Sequence, residues 1–339
     1  MQIYTRGVSD ATNKQIKVYS NDFDTLLWDY APTIAVAGMA VDPLGNVVLG
    51  ASGSSYTPLL KLDSTGALLW QPNVTLRLGG VGISICNDTT IVAAGSRVDS
   101  RTFKKVTTDG VAVWAKDGTD SAYCVATDLS NNIYIGCLGK LYKYDSAGNL
   151  IWTVPSLGDV VNGVACDLQG NVYIGQDRSS SLTTRKYTPD GTPVWAIDHG
   201  GNVEAIAVDN LGNVYTGGSI GANVHIRKYD TDSNLIWSAA HGATVISIAV
   251  DPDFNVYVGG SLVGTVSARK YDSSGTLLSS NSRNMRSRTL AGKLYGYLIE
   301  RFDGGVWVEL TSIPAEVAEL KTLVLSAEVI EGVVKLYVV

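Results

Sequence analysis

The sequence has few charged residues, few cysteines and no long apolar run. Only 17% of its 339 residues are Asp, Glu, Lys or Arg, whereas about a quarter is usual in globular domains. Coiled coils and acidic disordered chains need far more charge, so both classes are excluded. Four cysteines exclude a disulfide-stapled scaffold. No apolar stretch approaches the roughly 20 residues that a transmembrane helix needs, so no membrane insertion is expected.

Basic charge is also scarce. The net charge is −6 and the isoelectric point is about 5.1, so the chain offers no global field for nucleic acid, and no nucleic-acid partner is expected. Residues 1–10 (MQIYTRGVSD) have neither a basic region nor an apolar core, so a secretory signal is not expected either.

What the sequence does contain is a tryptophan at nearly constant spacing. The steps between successive tryptophans are 42, 44, 38, 43 and 42 residues. A period near 42 is typical of β-propeller blades or of helical HEAT-type arrays. Apolar residues alternate within each unit and β-branched residues are common, which favours strands over helices. The six tryptophans in this series are Trp28, Trp70, Trp114, Trp152, Trp195 and Trp237.

Each repeat reads as four strands, which we call A to D. In the unit at 205–237, strand A ends at Asp209, strand B covers 213–218, strand C covers 227–230 and strand D covers 235–237. Gly and Asn recur between A and B and between C and D, because tight turns often require a positive φ.

Counting the repeats predicts an all-β, seven-bladed β-propeller of four-stranded blades over residues 1–291. Six full units start near residues 34, 81, 122, 161, 203 and 245. Residues 2–7, 15–20 and 25–28 match strands B, C and D of a seventh unit that lacks strand A. A strand within 284–291 is expected to supply it, so that the N- and C-terminal strands close the ring and remove exposed sheet edges.

Residues 292–339 fall outside the repeat and predict a small C-terminal β extension. One hairpin is expected from 297–302 and 306–310, and a second from 323–330 and 333–339, with a short helical turn at 315–321. The apolar end (VVKLYVV) is expected to pack either on the propeller's own rim or on a partner chain, as a docking or oligomerisation element.

Several repeats carry the pattern Asp-x-x-Gly followed by an apolar residue and Trp. Examples are Asp63 to Gly66 before Trp70 and Asp145 to Gly148 before Trp152. This pattern resembles the tryptophan-docking signature of PQQ-type propellers, and the D-x-x-G-N-V-Y-x-G element resembles the bacterial SBBP (seven-bladed β-propeller) repeat and, more distantly, NHL repeats. The resemblance covers roughly residues 1–280 and implies a propeller fold. The chain lacks the adjacent-Cys pair of the quinone dehydrogenases, so the quinone chemistry is not carried over.

Two charged residue types recur in nearly every unit, and recurrence favours a structural role. The Asp that ends strand A is expected to accept hydrogen bonds from turn amides. The Lys of strand C is expected to pair with an Asp two residues later on the same strand face, or to extend between blades. An acidic ring and an anion-binding ring are the functional alternatives. The aspartates are Asp42, Asp128, Asp167, Asp209 and Asp251, and the lysines are Lys17, Lys61, Lys105, Lys143, Lys186, Lys228 and Lys270.

Histidine and cysteine offer little chemistry. His199 and His241 stand 42 residues apart in equivalent D–A loops, where they either fill the loops or form a pH-responsive or metal-binding pair without an evident third ligand. Cys124 and Cys137 are expected to face each other on strands A and B, as reduced core thiols or as a strained disulfide. No catalytic motif stands in a suitable context, so neither an enzyme nor a cofactor nor a metal is expected.

Recognition is expected where the repeat varies. The A–B and C–D turns share one face, which we call the turn face; the B–C and D–A segments share the other, the loop face. The B–C loops differ in length and sequence, and variable loops on a rigid scaffold commonly bind partners. The predicted binding residues on the loop face are Tyr56, Arg97, Asp99, Asp177, Arg178, His199, Asn223 and His241.

These observations predict a non-enzymatic structural or adhesion propeller. The expected setting is a bacteriophage virion, as a tail or capsid-surface protein that contacts other virion proteins through 292–339 and a host-surface glycan or protein through the loop face. The alternative is a stand-alone bacterial carbohydrate- or protein-binding propeller, in the cytoplasm or at the cell surface; a propeller lyase or hydrolase ranks third.

Overall fold

The structure is a computed structural model, and its residues form two compact units, Met1–Leu294 and Tyr295–Val339. The first unit is an all-β propeller built from four-stranded antiparallel sheets. The structure describes residues 2–8, 14–20, 25–30, 35–52, 59–71, 79–96, 101–118, 120–178, 182–219, 225–242, 244–261, 268–281, 290–291, 299–303, 306–310, 325–330 and 333–338.

Six blades are complete, each made of four consecutive strands in the order A-B-C-D. Blade I contains β4 (Ala35–Val41), β5 (Val47–Ser52), β6 (Leu59–Leu62) and β7 (Leu68–Trp70); blade II contains β8 (Gly79–Ile85), β9 (Ile91–Ser96), β10 (Arg101–Val106) and β11 (Ala112–Gly118); blade III contains β12 (Ala122–Thr127), β13 (Ile133–Cys137), β14 (Lys140–Tyr144) and β15 (Leu150–Val154). Blade IV contains β16 (Val161–Cys166), β17 (Val172–Gln176), β18 (Thr184–Tyr187) and β19 (Pro193–Ile197); blade V contains β20 (Val203–Val208), β21 (Val214–Gly218), β22 (Ile226–Tyr229) and β23 (Leu235–Ala239); blade VI contains β24 (Thr244–Val250), β25 (Val256–Ser261), β26 (Ala268–Tyr271) and β27 (Leu277–Asn281).

The N-terminal sheet differs from these blades, and it corrects the prediction of a seven-bladed ring. It contains β1 (Gln2–Val8), β2 (Lys14–Ser20) and β3 (Leu26–Tyr30), and its remaining strand, β28 (Leu290–Ala291), has only two residues. β28 meets β1 at two residue pairs, whereas strand A of a complete blade pairs with strand B at five or more positions. Among the described residues there is no full closing strand, so the ring is not closed by hydrogen bonds as predicted. Six complete blades replace the predicted seven.

The physical reason lies in the composition of the segment expected to close the ring. Residues 284–291 read NMRSRTLA and lack the alternating apolar, β-branched pattern of the other A strands, such as β20 (VEAIAV). Two arginines and few β-branched residues give little strand propensity and little apolar surface to bury between blades.

The core lies between neighbouring sheets. Strand B is buried along its whole length in blades III, IV and V, because both faces of that strand contact other blades. Its glycines permit a close approach: a Cβ on Gly217 would lie 2.4 Å from a methyl carbon of Val245 in blade VI. Strand D is the outermost strand and exposes its first residues.

The second unit contains two hairpins. β29 (Ile299–Asp303) pairs with β30 (Val306–Leu310), and β31 (Leu325–Ile330) pairs with β32 (Val333–Val338). Both hairpins are confirmed, whereas the helical turn predicted at 315–321 lies outside the described residues.

Candidate functional site

The turn face is held together by the repeated aspartates. Asp209 accepts hydrogen bonds from the Leu211 and Asn213 amides at 3.0 and 2.9 Å through one carboxylate oxygen. Its other oxygen accepts from the Asn213 side chain at 2.8 Å and from the Tyr215 hydroxyl at 2.9 Å. Burial and the charge of Asp209 raise the pKa of Tyr215. The same pattern surrounds Asp128, Asp167 and Asp251. The predicted structural role is confirmed.

Neighbouring blades are joined by the tryptophans and the strand-C lysines. In blade III, the Trp152 indole N–H and the Lys143 ammonium both donate to the Pro189 carbonyl of blade IV, at 3.0 and 2.7 Å. Trp195 and Lys186 share the Thr231 carbonyl of blade V in the same way. The lysines therefore connect blades, as one alternative predicted, and the partner of Lys61 is Asp42 rather than Asp63.

The four cysteines are reduced thiols rather than disulfides, as one alternative predicted, and the register of Cys124 and Cys137 differs from the prediction. A β-bulge in β12 places Ala122 opposite Cys137 and Cys124 opposite Gly136. Cys124 instead points at the next blade, where its thiol donates to the Val161 carbonyl at 3.3 Å. Burial raises the pKa of Cys124, so it stays protonated and inert.

On the loop face, the structure describes half of the predicted binding residues. Tyr56, Arg97, Asp99 and Asn223 lie outside the described residues. Asp177 and Arg178 follow strand B of blade IV, and His199 and His241 lie in the D–A segments after blades IV and V. Asp177 and Arg178 lie close together with polar residues that the sequence analysis missed, whereas the two histidines are buried between blades.

A polar cluster lies on the loop face between blades IV and V. The Asn162 amide donates to Asp177 at 2.8 Å and to the Val203 carbonyl at 3.2 Å. The Arg178 backbone N–H donates to the Asn202 side chain at 2.9 Å, and the Asn202 amide reaches Glu204 at 3.5 Å. We call these residues the polar patch: Asn162, Asp177, Arg178, Asp198, Asn202 and Glu204.

The charges of the polar patch are unevenly balanced. The Arg178 guanidinium lies 3.5 Å from Asp198, and both side chains are substantially exposed. A hydrogen bond from the Gly200 amide holds the pKa of Asp198 below its usual range, and the positive charge of Arg178 lowers it further. Burial raises the pKa of Glu204, and the charge of Asp177 raises it further. The charges of Asp177 and Glu204 therefore repel each other, while Arg178 pairs with a third carboxylate, that of Asp198.

The repeat pattern does not single out Asn162, Asn202 or Glu204, because it describes strand A as a uniform apolar element and Asn202 stands just before that strand. Asn162 and Glu204 stand at the bulge of strand A, where the register shifts by one residue. Tyr123 and Ile246 stand at that position in blades III and VI. A bulge re-aims its side chain, so polar residues at this point of the repeat were the available signal.

His199 is buried between blades IV and V with its ring nitrogens occupied. Nε2 lies 2.9 Å from the Thr184 hydroxyl, and Nδ1 lies 3.2 Å from both the Arg227 guanidinium and the Tyr229 hydroxyl. Burial, and to a lesser degree the charge of Arg227, lowers the pKa of His199 to about 3. His199 is therefore neutral and structural. Within the described ranges no group of three or more His, Cys, Asp or Glu side chains could hold a metal ion.

The comparisons with known proteins show the fold alone. No protein-family model matches the chain, and no curated protein matches it. Among solved structures, a protein of unknown function from Bacteroides caccae covers 86% of this chain and 97% of its own at 11% identity and a TM-score of 0.53. The mitotic checkpoint complex matches at 13% identity and a TM-score of 0.60, over 75% of this chain and 79% of its own.

BamB from Moraxella catarrhalis, a β-propeller, is similar over 76% of this chain and 88% of its own, at 15% identity and a TM-score of 0.50. These likenesses agree with the propeller arrangement of the first unit. No helix in the described part of the chain is long and apolar enough to cross a membrane.

Proposed function

We propose that this chain is a non-enzymatic adhesion propeller that binds a partner through its loop face. The aspartate turns of the turn face, and the tryptophan and lysine contacts between blades, use their polar groups internally. Polar groups that depart from the repeat concentrate in the polar patch, and this is the observation that carries the proposal. Sites for recognition commonly lie where a rigid scaffold varies.

The chemistry of the polar patch suits a hydroxyl-bearing partner. Carboxylates and amides at Asp177, Asn202 and Glu204 offer hydrogen-bond acceptors and donors a few ångströms apart. Sugar hydroxyls both donate and accept, so they match such a mixed set. A host-surface glycan is therefore the first candidate ligand, and a polar protein surface is the second.

A separate feature favours a place in a larger assembly. A bulge in strand D sets two adjacent apolar side chains on the outer edge of each blade, as in Leu150 and Ile151, which are 55% and 50% exposed. Leu235 and Ile236 repeat this in blade V. Recurring exposed apolar side chains mark surfaces that contact other proteins.

A bacteriophage virion is the setting we propose, with other virion proteins as partners and residues 292–339 as the docking element. The repeat, with its docked tryptophans, supports the resemblance to SBBP and PQQ-type propellers. That resemblance extends to the scaffold and not to quinone chemistry.

The proposed function is tested by binding to immobilised bacterial surface polysaccharides and to intact bacterial cells. The double variant Asp177→Asn, Glu204→Gln keeps the size of both side chains and removes both charges. Since hydrogen bonds to charged groups contribute about 1.5–3 kcal/mol each, we expect the affinity to fall at least tenfold, a factor worth about 1.4 kcal/mol.

The matched control is Asp253→Asn on the turn face. Asp253 is exposed in the A–B turn of blade VI, so its substitution should leave the affinity within about twofold. Equal binding by the wild type and the double variant would contradict the proposal.

A further inference from the structure

The boundary between blades V and VI brings basic side chains together. His241 lies in the D–A segment after blade V and is 1% exposed, yet neither of its ring nitrogens has a hydrogen-bond partner among the described residues. A buried polar group without a partner costs roughly 1–3 kcal/mol. Such a group calls for a specific explanation, and a bound ion is one of them.

Two further basic residues surround His241. Its backbone N–H donates to Nδ1 of His225 at 3.3 Å, which fixes the two histidines beside each other. Arg269, on strand C of blade VI, donates to the Ala240 carbonyl at 2.7 Å, while its Nε is buried with no partner in the described part of the chain. Three basic side chains from two blades therefore lie close together. Within the described residues, the His241 ring nitrogens and the Arg269 Nε have no hydrogen-bond partner.

The equivalent boundary between blades IV and V shows that this is a departure from the repeat. There, Thr184 contacts Nε2 of the histidine and Tyr229 contacts Nδ1. In blade V the threonine position is taken by Ile226, and in blade VI the Tyr271 hydroxyl donates to the Ala240 carbonyl instead. The threonine and tyrosine contacts are thus not available to His241, and Arg269, the counterpart of Arg227, donates to the Ala240 carbonyl.

The local charge is uncompensated. Burial lowers the pKa of His241 to about 4, and repulsion from Arg269 and His225 contributes to this shift. Burial and Arg269 lower the pKa of His225 as well. Among the described residues no carboxylate acts on either histidine, whereas Asp198 partly offsets the shift of His199.

We propose that His225, His241 and Arg269 form a binding site for an oxyanion: the carboxylate, sulfate or phosphate group of a ligand. Oxyanions accept charge-assisted hydrogen bonds from guanidinium and imidazolium groups. The bound anion supplies the missing partners and favours protonation of the histidines. This site lies at a different blade boundary from the polar patch and does not rest on the proposed function.

Inorganic sulfate is the probe, because it stays a dianion over the pH range of the titration. Any pH dependence of its affinity therefore arises from the protein. Calorimetric titration of the full chain is expected to show sulfate binding that tightens as the pH falls from ~7 to ~5. Arg269→Gln should weaken binding at least about tenfold, and His241→Gln should weaken it and flatten the pH dependence.

Ile226→Thr supplies a discriminating variant that keeps all three basic side chains. It gives His241 the hydroxyl partner that Thr184 gives His199, so sulfate affinity should fall roughly fivefold. Arg227→Gln, at the satisfied boundary, should leave sulfate affinity within about twofold. If sulfate does not bind, if its binding is independent of pH, or if Ile226→Thr and Arg269→Gln bind as the wild type does, the proposal is wrong.

Discussion

At the scale of single residues, the turns of this propeller depend on backbone conformations that glycine adopts most easily. The C–D turns place Gly191 at a φ of 89° and Gly275 at 87°. The tryptophan of the preceding blade lies against each of them, and a Cβ on Gly191 would lie 3.1 Å from the Trp152 ring. Blade V has Ser233 at this position, with a φ of 73°. A serine in the left-handed region carries a strain that glycine avoids.

Exchanging these residues gives a reciprocal test of that strain. We expect Ser233→Gly to stabilise the chain by about 0.5–1 kcal/mol, because the relief of strain exceeds the added flexibility of the unfolded chain. Gly191→Ser should destabilise it by about 1–2 kcal/mol, since it adds both strain and a close contact. Urea unfolding of both variants measures the two changes. Equal stability of the Gly191→Ser variant and the wild type would contradict this account of the turns.

At the scale of strands, tryptophan spacing and apolar alternation were sufficient to predict the order A-B-C-D. Periodicity does not reveal bulges, however. The bulge in strand A moved Cys124 away from Cys137 and turned Asn162 and Glu204 toward the loop face. The burial of His199 between blades also depends on contacts with Arg227, 28 residues away. Periodicity alone therefore does not predict which side chains come together on the loop face.

The contacts between neighbouring blades can be measured by substituting the side chains that form them. Trp152 and Lys143 donate to one carbonyl, that of Pro189, and the lysine ammonium lies 5.9 Å from the indole ring. Two donors on one acceptor couple energetically.

We expect Trp152→Phe and Lys143→Met each to lower the free energy of unfolding by about 1–2 kcal/mol. The loss in the double variant should differ from the sum of the two single losses by at least about 0.5 kcal/mol, because the two side chains share an acceptor and lie close together. Thermal or urea unfolding of the four chains completes the cycle. Strict additivity would show that the shared carbonyl does not couple the two side chains.

At the scale of the whole molecule, our proposal assigns structural contacts to one face of the first unit and recognition to the other. Five of the six complete blades repeat one aspartate turn between strands A and B on the turn face. The loop face carries the polar patch and the basic residues around His241. The low charge of the sequence follows from this arrangement, because sheets that bury both faces leave few positions where a charge is tolerated.

The most direct test of the central claim is a hydrogen-exchange footprint of the chain bound to its surface ligand, a polysaccharide or cell-surface fraction retained in the binding assay. We predict slowed amide exchange at residues 176–178 and 198–204 on the loop face, with no change at the A–B turns around 209–213 and 251–255. Protection confined to the turn face, or to the strand-D edges, would contradict the assignment of recognition to the polar patch.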